Sequence, residues 1–468
     1  MKTNHAPTKP LYDAATLLPI FCKLLPCSYI QQLVDKSEKQ FYQRIFTPLV
    51  LLWCLIYQRL NADHTQDEVL VHVKSGAADH LSPDAKRPIS QRIQSESTAA
   101  YSKGQQRFPL SVLTEAVSHT AQASQQTVAR WHDHPVALLD GTIFRTRPTK
   151  ALRKHYGVLH NQHGEHYWIQ IRGVGAFCLH SGAVLAFAET PVTTSEQKCA
   201  TEIMGQLEAN TVLLGDRNFG IFATAQAARH HQQHPLFRLT GARARKVAGR
   251  FLRAGDDVPV NWSPSRQDQV NAEMSTAPIP GRVVCYRVER KGFRPLKIFL
   301  FTTLLDPTVY TVEVLGELYG LRGHVELNLR YVKEQLELGE LKGKSPDSVR
   351  KELYSGLLTY NLIRASMAEA AAVKEKISPL TLSFTRCWRR LRLELIKLRA
   401  TDTPEHLAEV LRRLLLRLRQ CKLPQRKVQR LEPRAVRTRP RTYPVLVGDR
   451  KKARKKYRQK LKAQIAKS

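Results

Sequence analysis

Two short apolar runs that each lead into an aspartate constrain the fold of this chain most strongly. Residues 136–139 are followed by Asp140-Gly141-Thr142, and residues 211–214 are followed by Gly215-Asp216. Short apolar, β-branched runs bounded by turn-forming residues predict buried strands. Ligand sites in α/β sheets lie at the carboxyl ends of the strands, so we expect Asp140 and Asp216 to face the same edge of a sheet.

The segments around these runs predict a mixed α/β fold. Residues 167–178 and 183–188 flank His180-Ser181-Gly182, which predicts a hairpin that pairs antiparallel beside the first strand. Helices are predicted near 195–207 and 219–230, and a β-rich insertion over about 235–305. Helical periodicity dominates residues 11–125 and returns from Val312 to about Ala372. We therefore predict three domains, over residues 1–130, 131–375 and 376–468.

The charge of the chain indicates a polyanionic partner. In 468 residues, 74 Lys and Arg stand against 40 Asp and Glu, which gives a formal net charge of +34. The basic tail over 423–468 contributes 17 of these cations and two acids. Phosphate neutralises such an excess most directly, so we expect double-stranded DNA as the partner. A membrane is not expected, because the most apolar run, 48–57, is far shorter than the ~20 residues that cross a bilayer.

The N-terminal helical region has two interpretations that stay open. Ser97-Thr98 is a candidate N-cap for a helix that carries Lys103 and Arg107, and a helical run over 67–73 precedes it. This order is compatible with a helix-turn-helix reader of DNA, and equally with a helical packing domain that has a basic face. The first residues lack an apolar secretory core, so we expect a cytoplasmic protein.

One helical stripe carries the remaining candidate site residues. Tyr319, Arg322, Glu326 and Lys333 are three, four and seven residues apart, which places them within about 60° of one another around a regular helix. Such a stripe on its own is typical of an exposed charged helix face. Downstream of two strand-end aspartates, however, it supplies a third carboxylate and two phosphate-binding cations. Hard oxygen ligands of this kind select Mg²⁺ or Mn²⁺.

With these motifs the chain resembles the cut-and-paste DDE transposases of bacterial insertion sequences that carry a Tyr-x2-Arg-x3-Glu-x6-Lys signature. It matches the signature in full at the four residues of the stripe, and the resemblance covers roughly residues 90–370. Further similar segments are Asp140-Gly141-Thr142, residues 213–219, residues 349–353 and residues 360–362.

The resemblance implies a fold, an activity and a set of site residues. The fold is a ribonuclease-H-like catalytic core with a β-rich insertion, preceded by an all-α DNA-binding domain and followed by a helical basic region. The activity is cleavage at transposon ends and strand transfer into target DNA, by a homodimer on terminal inverted repeats in the bacterial nucleoid. Two Mg²⁺ or Mn²⁺ ions would be held by catalytic carboxylates, and four further residues would bind DNA. The carboxylates are Asp140, Asp216 and Glu326, and the DNA-binding residues are Tyr319, Arg322, Lys333 and Arg217.

Two features leave alternatives open. Ile298 stands where relatives that form a DNA hairpin intermediate have a tryptophan in the last insertion strand, and Phe299, Phe301, Phe293 or Tyr286 would have to replace it. The same core also fits a DNA nuclease or resolvase without strand transfer, or a catalytically silent DNA-binding repressor of transposition. Filled positions at all three acids argue against the repressor.

Overall fold

The computed structural model describes residues 19–37, 41, 44–61, 64–82, 87–126, 128–162, 164–270, 276–289, 295–373, 377–397, 404–424 and 448–465. The strands are β1 Val136–Thr146, β2 His160–Asn161, β3 Gly164–Glu165, β4 Ile169–Cys178, β5 Val184–Pro191, β6 Val212–Gly215, β7 His234–Leu239, β8 Asp257–Trp262, β9 Ile279–Val288, β10 Leu296–Thr302 and β11 Glu340–Leu341. The helices are α1 Pro19–Leu24, α2 Cys27–Lys36, α3 Pro48–Leu60, α4 Gln66–His72, α5 Ile89–Arg92, α6 Ala99–Arg107, α7 Leu110–Gln126, α8 Lys150–Tyr156, α9 Glu196–Met204, α10 Phe222–His230, α11 Gly241–Ala248, α12 Arg266–Val270, α13 Val312–Gly320, α14 His324–Arg330, α15 Pro346–Ala372, α16 Phe384–Lys397, α17 Pro404–Arg419 and α18 Arg450–Ile465.

One long mixed sheet organises the α/β part of the chain. Its strand order is β5-β4-β1-β6-β7-β10-β9-β8, and β11 pairs with the far end of β1. The predicted hairpin is confirmed as β4 and β5, and β4 pairs antiparallel with β1. The predicted mixed α/β class is likewise confirmed. The strands of the predicted insertion continue this sheet, because β7 pairs parallel with β6 and antiparallel with β10.

The first strand is longer than the sequence predicts. We expected it to end at Asp140, but β1 runs six residues further, to Thr146, because its pairing with β4 continues to Ile169. On its other edge, β1 pairs with β6 only as far as Leu138, and with β11 only from Arg145. In the described part of the chain, the interval between them leaves this edge of β1 without a strand partner beside Asp140.

Three elements of the insertion, α11, β8 and α12, have no counterpart in the sequence prediction. In α11 the structure buries a single residue, Ala244. β8 contains Pro259, which argues against a strand in the middle of a sheet. β8 is the last strand of the sheet, and an edge position tolerates the missing N–H donor.

The helical region predicted from Val312 to about Ala372 is largely helical in the structure, but it is interrupted. Helical structure stops at Gln335, and the connection to α15 contains β11. α15 then begins anew at a capping box, in which the Ser345 and Ser348 side chains satisfy each other's backbone N–H groups. The connection thereby adds a strand to β1 next to the open interval at Asp140.

Helices cover both faces of the sheet. One face packs, through residues such as Leu138 and Leu214, into a core that includes α13, α14 and α15. The other face packs on α9 and α10 through Leu139 and Leu213. Among the described residues, those between 19 and 288 and between 296 and 424 form one compact unit, and α18 belongs to another. Within the described residues, no helix is both long and apolar enough to span a bilayer.

Candidate active site

Strand register brings the two predicted aspartates side by side. Leu138 of β1 lies opposite Leu214 of the parallel strand β6, so Asp140 is level with Asp216 two residues further on. Neighbouring strands are about 4.8 Å apart, and side chains alternate between the faces of a sheet. The side chains of both aspartates therefore lie on the same face of the sheet as those of Leu138 and Leu214. On this face α14 packs against β1.

A single guanidinium joins all three predicted catalytic carboxylates. The Arg322 side chain lies 3.3 Å from the Asp140 carboxylate, 4.0 Å from that of Asp216 and 3.9 Å from that of Glu326. The Arg322 side chain is 14% exposed, whereas the Glu326 side chain is 72% exposed. The carboxylates of β1, β6 and α14 thus converge on one cation that is mostly shielded from solvent.

The helical stripe is less regular than its spacing implies. A tight 3-10 turn, Leu321–Gly323, separates α13 from α14, and a wide π turn, Tyr331–Gln335, follows α14. Arg322 lies in the first turn, and Lys333 lies in the second. The tight turn directs Arg322 to the aspartates, while Lys333 is half-buried and makes no ion pair with a carboxylate that the structure describes.

The other two predicted DNA-binding residues flank this cluster. Tyr319 is buried, with 8% of its surface exposed, at the end of α13. Burial raises the pKa of its hydroxyl, and the nearby charge of Arg322 opposes that rise. Arg217 follows Asp216 directly and is exposed. Its charge also acts on Tyr319, so both residues border the aspartates.

Glu196 is a fourth carboxylate at this place, and no motif in the sequence predicts it. Glu196 is the first residue of α9, whose N-cap, Ser195, accepts a hydrogen bond from the Lys198 N–H. A Cβ atom on residue 141 would collide with the Glu196 carboxylate, so the glycine beside Asp140 makes room for it. The acid in the first turn of α9 was the available signal, but it lies 54 positions after Thr142 of the Asp-Gly-Thr motif.

Asn218 connects Glu196 to the second aspartate. Its backbone N–H donates to the Asp216 Oδ1 atom over 2.8 Å, and its side-chain amide donates to the Glu196 carboxylate. The Gln197 amide in turn donates to the Asn218 Oδ1 atom over 2.6 Å. These bonds fix the loop after β6 on the start of α9, and with it the position of the Asp216 carboxylate.

Burial of these acids is unfavourable for their charged forms. It raises the pKa of Asp140 to about 6, although Arg322 and the Gly141 N–H oppose the rise. Burial also raises the pKa of Glu196, and the charge of Asp216 adds to that effect. A buried carboxylate whose pKa is raised in this way gains from any additional cation nearby.

The donor set fits a divalent metal ion, although the described residues hold no preformed metal cage. No three His, Cys, Asp or Glu side chains in the described part of the chain lie close enough together to bind one ion. Arg322 occupies the space between the carboxylates instead, and its buried Nε atom has no hydrogen-bond partner among the described groups. The oxygen ligands are those that Mg²⁺ and Mn²⁺ prefer, and a cation already sits among them.

The aromatic candidates of the insertion differ in accessibility. Phe301 is fully buried, and Tyr286 lies against Gly316 of α13. Ile298 and Phe299 are half-buried on opposite faces of β10. Phe293 lies outside the described residues.

Two comparisons with known proteins bear on the resemblance drawn from the sequence. Residues 131–362 match the family model of the transposase DDE domain. The chain is similar to the transposase InsG for insertion sequence element IS4 of Escherichia coli (strain K12), with 24% identity over 413 residues that cover 84% of this chain and 86% of that protein. These matches confirm the resemblance to the DDE transposases of insertion sequences that the sequence motifs indicate.

Proposed function

We propose that the chain is an active transposase that cleaves DNA at the ends of its element and joins them to target DNA in a divalent-metal-dependent reaction. The observation that carries this proposal is the convergence of Asp140, Asp216 and Glu326 on the guanidinium of Arg322. Three carboxylates from separate elements, gathered around a cation at the edge of a sheet, are what metal-dependent phosphoryl transfer requires.

The three carboxylates would hold Mg²⁺ or Mn²⁺, two ions in all, within the ribonuclease-H-like core of residues 131–375. When bound, such ions activate the attacking oxygen and stabilise the leaving oxygen at phosphorus. Metal ions and Arg322 compete for the same carboxylate oxygens, so the guanidinium is available to a DNA phosphate once they are occupied. Lys333 and Arg217, which have no described carboxylate partner, would bind further phosphates, and Tyr319 would contact the DNA end.

The reaction needs no covalent protein intermediate. Water attacks a phosphodiester at the transposon end, and the strand leaves with a free 3′-hydroxyl. This hydroxyl then attacks a phosphodiester of the target, so each step breaks one P–O bond and forms one. Two ends must be held together for joining, which favours a homodimer on DNA. The N-terminal helices over 1–130 and the basic region over 376–468 would bind the terminal repeats and the flanking duplex, in the bacterial nucleoid.

A donor assay tests this proposal against its alternatives. The full chain is incubated with Mg²⁺ or Mn²⁺ and a supercoiled plasmid that carries the sequences flanking its gene, beside an Asp216→Ala variant. We expect joined donor–target products that the variant does not form. Nicked or linear DNA without joining would instead indicate a nuclease or resolvase. Binding without any cleavage would indicate a repressor, and cleavage that survives Asp216→Ala would refute the assigned site.

A further inference from the structure

Arg364 is a buried cation without a carboxylate partner in the described part of the chain. It lies in α15, and 3% of its surface is exposed. Its Nε atom donates to the Tyr360 hydroxyl over 2.8 Å, and its Nη2 atom donates to the Asn328 Oδ1 atom over 2.6 Å. Both acceptors are neutral, so no ion pair among the described residues accounts for the burial of this charge.

Three aromatic rings lie around the guanidinium. Its central carbon is 5.1 Å from the ring centroid of Phe384, 5.2 Å from that of Tyr360 and 5.4 Å from that of Tyr331. Tyr331 and Phe384 also stack on each other, with centroids 4.6 Å apart. Attraction between a cation and aromatic rings is strongest where the cation is desolvated. The rings thus offset part of the free energy that burial of the charge costs.

Stability of the core does not by itself explain an arginine at this position. Well-packed apolar side chains often stabilise a core as well as buried charged groups do. What a guanidinium adds is direction, because its planar fork holds its acceptors in a fixed geometry. Arginine only donates, so the amide oxygen of Asn328 has to face it. This hydrogen bond fixes the helix of Asn328 along and about its axis, whereas apolar packing is non-directional.

The helix of Asn328 is α14, which also carries Glu326. Asn328 and Tyr331, three residues apart, share one face of the helical segment, and both contact Arg364. Glu326 is two residues before Asn328, and therefore about 160° away from it around a regular helix. Accordingly, Asn328 is 2% exposed, whereas the Glu326 side chain is 72% exposed. The contact with Arg364 on one face thus determines the direction in which the Glu326 carboxylate points from the other.

The other end of this network is anchored on the sheet. The Tyr360 hydroxyl, which accepts from Arg364, donates to the Gly182 carbonyl over 2.8 Å in the turn between β4 and β5. A Cβ atom on residue 182 would lie 2.8 Å from the guanidinium carbon of Arg364, so this turn packs directly on the cation. β4 in turn pairs with β1, the strand that carries Asp140. A continuous set of contacts therefore connects the strand of Asp140 to the helix of Glu326.

We propose that Arg364, acting through Asn328, is a positioning residue for the Glu326 carboxylate. This inference rests on the proposed function. A guanidinium buried in this way does not touch DNA. It holds α14 in the rotation about its axis that turns Glu326 towards Asp140 and Asp216. Without the hydrogen bond the helix turns and the carboxylate moves, so cleavage slows while the affinity for DNA stays the same.

Single-turnover cleavage of donor DNA by the full chain, with saturating Mn²⁺, tests this role. Asn328→Leu has a similar volume but no acceptor. It should lower the rate at saturating protein about 10- to 100-fold and leave the half-saturating protein concentration within about twofold. Asn328→Asp keeps an acceptor oxygen and should retain the rate within about threefold. Arg364→Lys has no planar fork and should lose rate as Asn328→Leu does. Thr359→Val, which removes a buried hydrogen bond within α15, is the control and should retain the rate.

Hydrogen–deuterium exchange of residues 324–335, without metal or DNA, gives a second readout. Exchange should be faster in Asn328→Leu and Arg364→Lys than in the unmodified chain, and unchanged in Asn328→Asp and Thr359→Val. An unchanged cleavage rate in Asn328→Leu, or an equal loss of rate in Asn328→Asp, would overturn the positioning role while the proposed function stands. An unmodified chain that never cleaves would refute the transposase. Exchange alone would then decide whether Arg364 fixes α14, and equal exchange in both Asn328 variants would refute it.

Discussion

Two regions at one edge of the same sheet carry opposite charge, and they differ in how that charge is satisfied. Around β1 and β6, Asp140 and Asp216 have Arg322 as a partner, and Glu196 has Asn218. Around α11 and β10, Arg245 and Lys297 have no carboxylate partner among the described residues. Without any ligand, the carboxylates of the acidic region already have partners within the chain. The cations of the basic region, in contrast, are available to an external anion.

The two regions therefore differ in their effect on the free energy of folding. Collecting buried carboxylates costs free energy that one guanidinium does not fully recover, as the raised pKa of Asp140 indicates. Exposed cations cost little, because water solvates them. Under the proposed function, the carboxylates would form a preorganised catalytic site, and such sites commonly lower the stability of a fold.

The largest effect is expected on DNA cleavage, when a carboxylate of the acidic region that would bind metal is removed. Glu326→Gln should reduce donor cleavage at least about 1,000-fold, because a neutral amide is a poor ligand for a divalent ion. The Glu326 side chain is 72% exposed, so the thermal unfolding midpoint of the Glu326→Gln variant should equal that of the unmodified chain. Glu165→Gln, at an exposed carboxylate paired with Arg153, is the matched control and should retain cleavage. Comparable cleavage by both variants would remove Glu326 from the centre.

The second prediction concerns the stability of the acidic region without metal. Because the folded-state pKa of Asp140, about 6, exceeds the ordinary value of 3.8, its contribution is most favourable below pH 4 and is lost as the pH rises towards 6. Asp140→Asn should therefore match the unmodified chain at pH 3.5 and exceed it at pH 8 by about 2–3 kcal/mol in free energy of unfolding. Urea denaturation in a chelator measures this difference. A less stable variant at pH 8 would mean that the ion pair with Arg322 outweighs burial.

The sequence predicts the strands of the acidic region because they are continuous apolar runs between turn-forming residues. It does not predict that β1 continues to Thr146, since the polar residues after Leu139 are held by pairing with β4. The two-residue strand β11 depends in the same way on its partner. Local pattern thus identifies the strands that pack into the core, and tertiary pairing decides how far they extend.

For the candidate site, too, the sequence predicts the local spacing of residues, whereas tertiary packing decides which side chains meet. The signature spacing predicts that Arg322 and Glu326 share a helix face, but the position of Arg322 between two aspartates depends on how α14 packs against β1. Glu196 belongs to α9, whose sequence contains no recognisable site motif. Its carboxylate fits beside Asp140 only because residue 141 is a glycine.

A third prediction tests whether Glu196 belongs to the acidic region. Glu196→Gln should weaken Mn²⁺ binding and donor cleavage about 10- to 100-fold, because it removes negative charge and loosens the Asn218 bond that fixes Asp216. Isothermal titration with Mn²⁺ measures binding independently of cleavage. Glu202→Gln, an exposed carboxylate on the same helix, should change neither quantity. Equal Mn²⁺ affinity in both variants would limit Glu196 to packing against Gly141.

The smallest effect is expected in the basic region, where single cations act on DNA through solvent. Lys246 lies on α11 without a described carboxylate partner, whereas Arg250 pairs with Asp256 over 2.9 Å. A free cation releases one more counterion on binding than a cation that must first leave its own partner. Lys246→Gln should therefore lower the slope of log affinity against log salt for duplex binding by about 1, and Arg250→Gln by less. Equal slopes for the two variants would show that an ion pair within the chain does not change how much a cation contributes to DNA binding. The contrast between the acidic and the basic region would then depend on the carboxylates alone.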